Sequence, residues 1–149
     1  MNSEEVQAIH HLQVDYARGA DSFSGATYAE VFTDDGTLDA TGTGIPAVHG
    51  KAAIAKLMDD TFAQQTHNIH MTMNQRVTRI DGDTAEGWCY FLQRSILRNG
   101  GRTEFAGRYD DTYQRTPDGW KIKKRVLTEL LPTIMEGYDV PAGDQPTPP

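Results

Sequence analysis

Hydrophobic residues in the first part of the chain recur every three to four positions, which predicts three helices. The first helix is predicted over residues 3–20, with Ser3 as its N-cap and acidic residues in its first turn. A shorter second helix begins at Ser24 and runs to Phe32, and a third follows Gly50. The buried stripe of the first helix comprises Val6, Ile9, Leu12 or Gln13, and Tyr16, and that of the third comprises Ile54, Leu57, Met58 and Phe62.

Beyond residue 65 the period of the pattern changes to two, which is typical of strands. Four long strands are predicted, at about residues 67–80, 84–98, 102–115 and 119–131, separated by the hairpin sequences DGD, NGG and PDG. Before them, residues 33–36 have turn chemistry and residues 37–40 form a short strand. Three helices followed by an antiparallel meander predict an α+β fold rather than a doubly wound sheet. Because long strands of this kind curl, we expect the helices to close the concave side of a curved sheet.

One folded domain is predicted over residues 1–135, and residues 136–149 form a proline-rich tail that we expect to be mobile. The chain has 149 residues, of which 38% are hydrophobic and 23% charged, as in an ordinary soluble domain that buries one core. No apolar run approaches the length of a membrane span, and the polar, acidic N-terminus does not have the pattern of a signal peptide. We therefore expect a cytoplasmic protein that does not bind membranes.

The charge and the cysteine content exclude several classes of site. A formal net charge of −7 argues against binding to nucleic acids or anionic membranes. The single cysteine, Cys89, excludes an internal disulfide and a cysteine-based zinc or iron–sulfur site. The spacing of His10, His11 and His49 relative to carboxylates does not indicate a metal site, and no nucleotide-binding motif is present. We expect neither a metal nor another cofactor.

Several short motifs in succession resemble the SnoaL-like branch of the nuclear transport factor 2-like superfamily. These motifs are VFTDDGTLD at residues 31–39, HGKAAI at 49–54, IDGDTA at 80–85, GRYDDTY at 107–113 and DGWKI at 118–122. Their order and spacing extend the resemblance over nearly the whole chain up to residue 131. The resemblance implies a cone, in which a curved antiparallel or mixed sheet wraps around three helices and encloses a pocket for a small hydrophobic molecule. It also implies a homodimer or a higher homo-oligomer formed through the outer face of the sheet.

Within this superfamily, the resemblance points to four candidate site residues. Scytalone dehydratase, bile acid 7α-dehydratase and hexachlorocyclohexane dehydrochlorinase share an aspartate at the end of the first helix and a histidine on the first long strand. This chain has Asp21 and His70 at those positions. Tyr16 precedes Asp21 as a tyrosine does in the bile acid enzyme, and Arg125 matches an active-site arginine of this subgroup. The second histidine that scytalone dehydratase uses has no counterpart here.

The local surroundings of these residues bear on their roles. His70 alternates with apolar residues, so it lies on the polar face of its strand. Asp21 stands at a helix C-terminus, where the helix dipole disfavours an anion, and an imidazolium would be a suitable partner. We therefore expect the side chains of Asp21 and His70 to hydrogen-bond inside the cone. Arg125 shares its strand parity with Lys121 and Lys123, which favours a solvated edge, and a β-bulge would be needed to turn it inward.

The candidate residues suggest general-base chemistry at carbon. His70 would take the proton, while Asp21 orients the imidazole and stabilises the imidazolium that forms. Tyr16 and Arg125 would stabilise a developing oxyanion or assist the leaving group. The leading hypothesis is a cofactor-independent lyase, of the dehydratase type, that acts on a hydrophobic cyclic small molecule.

Two alternatives use the same fold. A polyketide cyclase or a ketosteroid isomerase-like enzyme would close a ring or move a proton without loss of water. A non-catalytic binding or association module would fill the pocket with apolar side chains instead. An open cavity that contains His70 favours an enzyme, whereas a filled cavity favours the module.

Apolar residues occupy both faces of the strand predicted at residues 84–98, which predicts a partner for its outer face. One face has Trp88, Tyr90, Leu92 and Ile96, and the other has Cys89, Phe91 and Leu97. Because the helices can cover only one of these faces, we expect a homodimer or a higher homo-oligomer.

Overall fold

The computed structural model describes residues 1–143, in which three α-helices pack on a six-stranded sheet. In chain order the elements are α1 (Ser3–Asp21), α2 (Gly25–Ala29), β1 (Phe32–Asp39), a 3₁₀ turn (Thr41–Thr43), β2 (Val48–His49), α3 (Lys51–Phe62), β3 (Gln65–Asp81), β4 (Thr84–Leu97), β5 (Arg102–Thr116) and β6 (Gly119–Glu136). The predicted α+β fold is confirmed. Residues 144–149 of the predicted tail lie outside the described residues. Within residues 1–143, each helix is too short or too polar to cross a membrane.

The strands form an open, mixed sheet in the order β2-β1-β6-β5-β4-β3. β1 runs parallel to β6, and all other neighbouring strands are antiparallel. The helices cover one face of this sheet: α1 contacts β3 and β6, and α3 contacts β1. The core lies between the two layers and includes Ile9, Phe32, Ile54 and Ile122, each of which is at most 1% exposed.

Three local predictions are wrong. The second helix ends at Ala29, and Phe32, predicted as part of this helix, begins β1. The other two concern the cap of α1 and residues 33–36. α1 is capped by Asn2, whose side-chain oxygen accepts a hydrogen bond from the backbone N–H of Glu4 at 3.0 Å, so Ser3 is a helical residue rather than the cap. Residues 33–36 belong to β1 rather than to a turn. β1 accommodates them because its register against β6 shifts along this segment, and a bulge absorbs the extra residues.

A bulge in β6 determines which of its side chains face the helices. The register of β6 against β5 shifts by one residue at Lys123. Alternation along the strand is therefore reset there: Ile122 is buried before the bulge and Arg125 is buried after it. In a regular strand Arg125 would share the outer face with Lys121. The structure thus contains the bulge that an inward-facing Arg125 requires.

The outer face of the sheet keeps the alternation expected from the sequence. On β4, Cys89 and Phe91 are buried beneath the helices, whereas Tyr90 is exposed on the other face. Met73 of β3 pairs with Tyr90 and is exposed on the same face. The other exposed apolar side chains of these two strands are Ile69, Met71 and Ile96.

Candidate active site

A cavity of about 90 Å³ lies between the helices and the inner face of the sheet. This volume is several times the roughly 10–15 Å³ that one water needs. The apolar part of the wall comprises Leu38, Ala40, Ile45, Leu57, Met58, Phe91, Phe105 and Leu127. The polar part comprises Tyr16, Tyr28, Thr61, Gln65, His70, Gln93, Thr103, Tyr109 and Tyr138. The described part of the wall contains no Asp, Glu, Lys or Arg, so an apolar surface carries a few hydrogen-bonding groups, as in typical small-molecule sites.

His70 lies on the inner face of β3 and is 9% exposed. Its imidazole stacks on the rings of Phe91 and Tyr109, at centroid distances of 6.0 and 6.1 Å. Burial lowers the pKa of His70 to about 3, and the positive charge of Arg125 acts in the same direction. The imidazole is therefore neutral at neutral pH. Between about pH 6.5 and about pH 3 the unfolded chain binds this proton and the folded chain does not, so acidification through this range favours unfolding.

Three tyrosine hydroxyls, here called the tyrosine chain, continue from His70 along the cavity wall. The hydroxyl of Tyr109, on β5, hydrogen-bonds with Nε2 of His70 at 2.9 Å. The hydroxyl of Tyr16, on α1, donates to that of Tyr109 at 3.4 Å, and the hydroxyl of Tyr28, on α2, donates to that of Tyr16. Burial raises the pKa of Tyr28 and of Tyr109 well above the usual value. Both phenols therefore keep their protons at neutral pH and can donate hydrogen bonds.

Asp21 contacts the backbone of His70 rather than its imidazole, which corrects the expectation from the sequence. Its Oδ1 accepts hydrogen bonds from the backbone N–H of His70 at 3.0 Å and from Nδ2 of Asn68 at 3.0 Å. β3 is an edge strand, and such strands leave backbone N–H groups without a strand partner. Burial raises the pKa of Asp21, although both hydrogen bonds oppose this shift. The carboxylate thus fixes the strand at His70 and does not set the protonation of the ring.

Asn68 extends this contact into a ladder of side-chain hydrogen bonds beside the cavity. Nε2 of Gln93 donates to Oδ1 of Asn68 at 2.7 Å, and Oγ1 of Thr103 donates to Oε1 of Gln93 at 3.1 Å. The hydroxyls of Thr103 and Ser95 hydrogen-bond at 2.6 Å. The ladder links β3, β4 and β5, so the polar groups of Gln93 and Thr103 in the cavity wall already have protein partners.

Arg125 is completely buried, but it lies behind the tyrosine chain rather than in the cavity wall. Its Nε and Nη2 donate to the two carboxylate oxygens of Asp111 at 2.8 and 2.7 Å, and Nη2 also donates to Oε1 of Gln13. The guanidinium carbon lies 4.2 Å from the ring centre of Tyr16 and 4.0 Å from that of Tyr109. Burial disfavours the charge, but Asp111 outweighs this effect and holds the pKa of Arg125 well above its usual value. The positive charge therefore acts on the cavity through the two tyrosine rings.

The structure brings only part of the predicted site together. His70 and Tyr16 line the cavity, whereas Asp21 and Arg125 lie outside its described wall. Among residues 1–143, no three His, Cys, Asp or Glu side chains are placed to hold a metal ion together.

Sequence reasoning missed Tyr28, Tyr109 and Asp111. Tyr109 and Asp111 lie two positions apart in the GRYDDTY motif, and the alternation of β5 places both on the inner face. This alternation was the available signal, because an aspartate on the buried face of a strand requires a charged or hydrogen-bonding partner. Tyr28 gave no comparable signal, because a tyrosine on a short amphipathic helix is usually part of the core.

Comparisons with known proteins agree with this architecture. The chain matches the model of a family described as SnoaL-like domain over residues 1–126. An uncharacterized protein of Mycobacterium tuberculosis is 32% identical over 131 residues, which cover 85% of this chain and 86% of that protein. A crystal structure from Novosphingobium aromaticivorans, provisionally named an aromatic ring hydroxylase, is 30% identical with a TM-score of 0.85 and covers 89% of this chain and 94% of that one. The hexachlorocyclohexane dehydrochlorinase LinA-type3 from Novosphingobium barchaimii has a similar fold, with a TM-score of 0.73, 23% identity and coverage of 91% of this chain and 94% of that one.

We expect Arg125→Met to destabilise the protein by about 3–5 kcal/mol, because it leaves the carboxylate of Asp111 buried without its charged partner. Adding Asp111→Asn removes that charge, so the double variant should recover part of the lost stability. Lys124→Met, at the exposed neighbouring position, is the control and should change stability by less than about 0.5 kcal/mol. Urea unfolding followed by circular dichroism measures these free energies of unfolding. A loss for Arg125→Met no larger than that for Lys124→Met would contradict the role of the ion pair.

Proposed function

Because the chain belongs to the SnoaL-like domain family, we propose that it is a cofactor-independent lyase that eliminates water from a hydrophobic cyclic small molecule. The observation that supports this most is the neutral imidazole of His70 in a cavity wall whose described residues include no Asp, Glu, Lys or Arg. A neutral imidazole can act as a general base, and an apolar site strengthens electrostatic interactions with the transition state. The Novosphingobium barchaimii enzyme is named a dehydrochlorinase, and dehydrochlorination, like dehydration, is an elimination reaction.

In the proposed reaction, Nε2 of His70 takes a proton from a carbon adjacent to the carbon that bears the leaving hydroxyl. The substrate takes the place of the Tyr109 hydroxyl at Nε2, which frees that hydroxyl to donate to a substrate oxygen. The electron pair of the C–H bond forms the new C=C bond, the C–O bond breaks, and the hydroxyl leaves as water. Tyr16 supplies the proton for this water. After the product leaves, the Tyr109 hydroxyl contacts Nε2 again, and the imidazolium returns its proton to Tyr16 through Tyr109.

The charge behind the cavity wall favours an oxyanion over an imidazolium. Arg125 lies against the rings of Tyr16 and Tyr109 and lowers the pKa of His70. Its field holds the base neutral until a substrate binds, and then stabilises negative charge on a substrate oxygen. Asp21 acts as a positioning residue in this proposal, because its hydrogen bond to the N–H of His70 fixes the strand that carries the base.

Ring-shaped substrates suit the walls of this cavity. The rings of Phe91, Phe105 and the tyrosine chain line it, and aromatic side chains pack well against flat apolar groups. The name of the Novosphingobium aromaticivorans relative also refers to an aromatic ring. We therefore propose a cyclic compound that carries a hydroxyl group and an adjacent acidic C–H bond.

The alternatives differ in product rather than in binding site. A polyketide cyclase or a ketosteroid isomerase-like enzyme would use the same base and the same hydroxyls. Because neither reaction loses water, the product would have the same mass as the substrate. A non-catalytic binding module is less well supported, because the side chains of residues 1–143 leave the cavity open and a neutral histidine lines it. Mass spectrometry of the product distinguishes elimination, in which one water is lost, from isomerisation.

Variants of the cavity wall should affect turnover in a defined order. With cyclic hydroxy-ketones as the screened substrates, His70→Gln should lower kcat/KM for water loss by about 10²–10⁴-fold, the usual contribution of a general base. Tyr16→Phe should have a smaller effect, because Tyr109 and Tyr28 remain. Asp21→Asn should have the smallest effect, because the amide oxygen can still accept from the N–H of His70.

Tyr90→Phe removes a hydroxyl from the exposed outer face and serves as the control, with unchanged turnover expected. Circular dichroism establishes that each variant is folded. Turnover that survives His70→Gln unchanged would refute the assignment of the base and, with it, the dehydratase proposal.

We further propose that two copies of the chain associate through the outer face of the sheet. Ile69, Met71 and Met73 of β3 and Tyr90 and Ile96 of β4 are all more than a third exposed on this face. Neighbouring apolar side chains on a sheet face of a soluble protein are typical of an interface. A symmetric dimer would bring this surface against its own copy.

This dimer should dissociate in the variant Met71→Glu, because the substitution buries an unpaired charge at the interface. Sedimentation velocity at micromolar concentration distinguishes a dimer from a monomer of 16.5 kDa. Val14→Glu adds the same charge on the exposed side of α1 and should leave the assembly intact. A wild-type protein that sediments at 16.5 kDa would contradict the proposed dimer.

A further inference from the structure

Gln65 differs from the other polar residues of the cavity wall because the oxygen of its side-chain amide is buried without a hydrogen-bond partner within residues 1–143. It is 3% exposed, and its Oε1 is completely buried without a donor. By contrast, Gln93 and Thr103 hydrogen-bond with each other, and the hydroxyls of Thr61 and Tyr138 do so at 2.8 Å. Gln65 is therefore the side chain in the described wall that has a buried, unused acceptor.

The position of Gln65 depends on an irregularity in β3. Gln65 and His70 are five residues apart, so a regular strand would place them on opposite faces. The register of β3 against β4 shifts between Gln65 and His67, and this bulge turns both Gln65 and His70 toward the cavity. The fold thus directs a primary amide into an apolar cavity where a hydrophobic side chain would be easier to bury.

A buried amide oxygen without a partner is unfavourable, because it has lost its hydrogen bonds to water. The unpartnered atom of Gln65 is an acceptor, so the ligand group that satisfies it must be a donor, such as a hydroxyl. A ligand that brings such a group to this end of the cavity would restore the missing hydrogen bonds. A ligand without one would leave the amide unpaired.

We propose that Gln65 is a specificity-determining residue whose Oε1 accepts a hydrogen bond from a hydroxyl group at the end of the substrate remote from the reacting carbon. This inference rests on the proposed function, in which His70 contacts the reacting carbon. Five residues of strand separate the two side chains by on the order of 15 Å along β3. The substrate class is therefore an elongated, flat apolar molecule of about two rings with a polar group near each end.

The pair 2-naphthol and 2,6-dihydroxynaphthalene tests this inference by equilibrium binding, measured by isothermal titration calorimetry. The two compounds share one ring system and differ by a single distal hydroxyl. The wild-type protein should bind the diol about tenfold more tightly than 2-naphthol, as expected for one additional hydrogen bond in a dry site. Gln65→Met should remove this preference and leave the affinity for 2-naphthol unchanged.

Gln65→Met preserves the length of an unbranched side chain, and Gln65→Leu provides a second variant if the first does not fold. Both should raise the midpoint of thermal unfolding without ligand, because they remove an unpaired buried amide oxygen. Gln114→Met, at a half-buried glutamine near the far end of β5, is the matched control and should keep the preference for the diol.

The outcomes separate this inference from the proposed function. Equal affinity of the wild-type protein for the two compounds, or a preference for the diol that persists in Gln65→Met and Gln65→Leu, would overturn the role of Gln65 alone. An amide that only holds a water molecule would give that result. Failure of both compounds to bind would instead contradict the ring-shaped substrate class, and the inference about Gln65 would be lost with it.

Discussion

The buried ion pair between Arg125 and Asp111 is the interaction on which the cavity wall depends. A charged pair is stable away from water only when it is well hydrogen-bonded. Nε and Nη2 of Arg125 donate to both oxygens of Asp111 and to Oε1 of Gln13, whereas its Nη1 is buried without a hydrogen-bond partner within residues 1–143. The rings of Tyr16 and Tyr109 lie against the guanidinium and separate it from the cavity. The wall therefore presents hydroxyl groups and a neutral imidazole, while a positive charge remains just behind it.

This charge and the burial of His70 both disfavour the imidazolium. An imidazole in such surroundings is a weak base until negative charge develops beside it, so proton transfer becomes favourable only when a substrate oxygen can carry that charge. The positive charge of Arg125 behind the wall also stabilises this oxyanion. Asp21 has a different role from the orienting carboxylate of a catalytic triad. It accepts a hydrogen bond from the backbone N–H of His70, whereas the imidazole ring hydrogen-bonds with the hydroxyl of Tyr109.

The long helices and strands could be predicted because their hydrophobic periods are regular over ten or more residues. Prediction failed where pairing between strands decides the conformation. Residues 33–36 have turn chemistry, but the register against β6 draws them into β1. Local sequence does not show the bulge at Lys123, which turns Arg125 inward. In the site, the amphipathic face of α1 indicated a buried Tyr16, whereas the polar face of β3 favoured solvent for His70, and only the family resemblance pointed to the cavity. The edge position of β3, which gives Asp21 a backbone partner, follows only from the sheet order.

The central claim is that burial and the nearby charge of Arg125 keep the His70 imidazole neutral. The most direct test is a pH titration of this imidazole by nitrogen NMR. Selective labelling of the five histidines, with His70→Gln to assign the signal, isolates this ring. We predict that its nitrogens keep the neutral pattern from about pH 8 to about pH 5, because the pKa of His70 is lowered to about 3. A transition with a pKa near 6.5, the value of an unperturbed histidine, would contradict this environment and the proposed chemistry that depends on it.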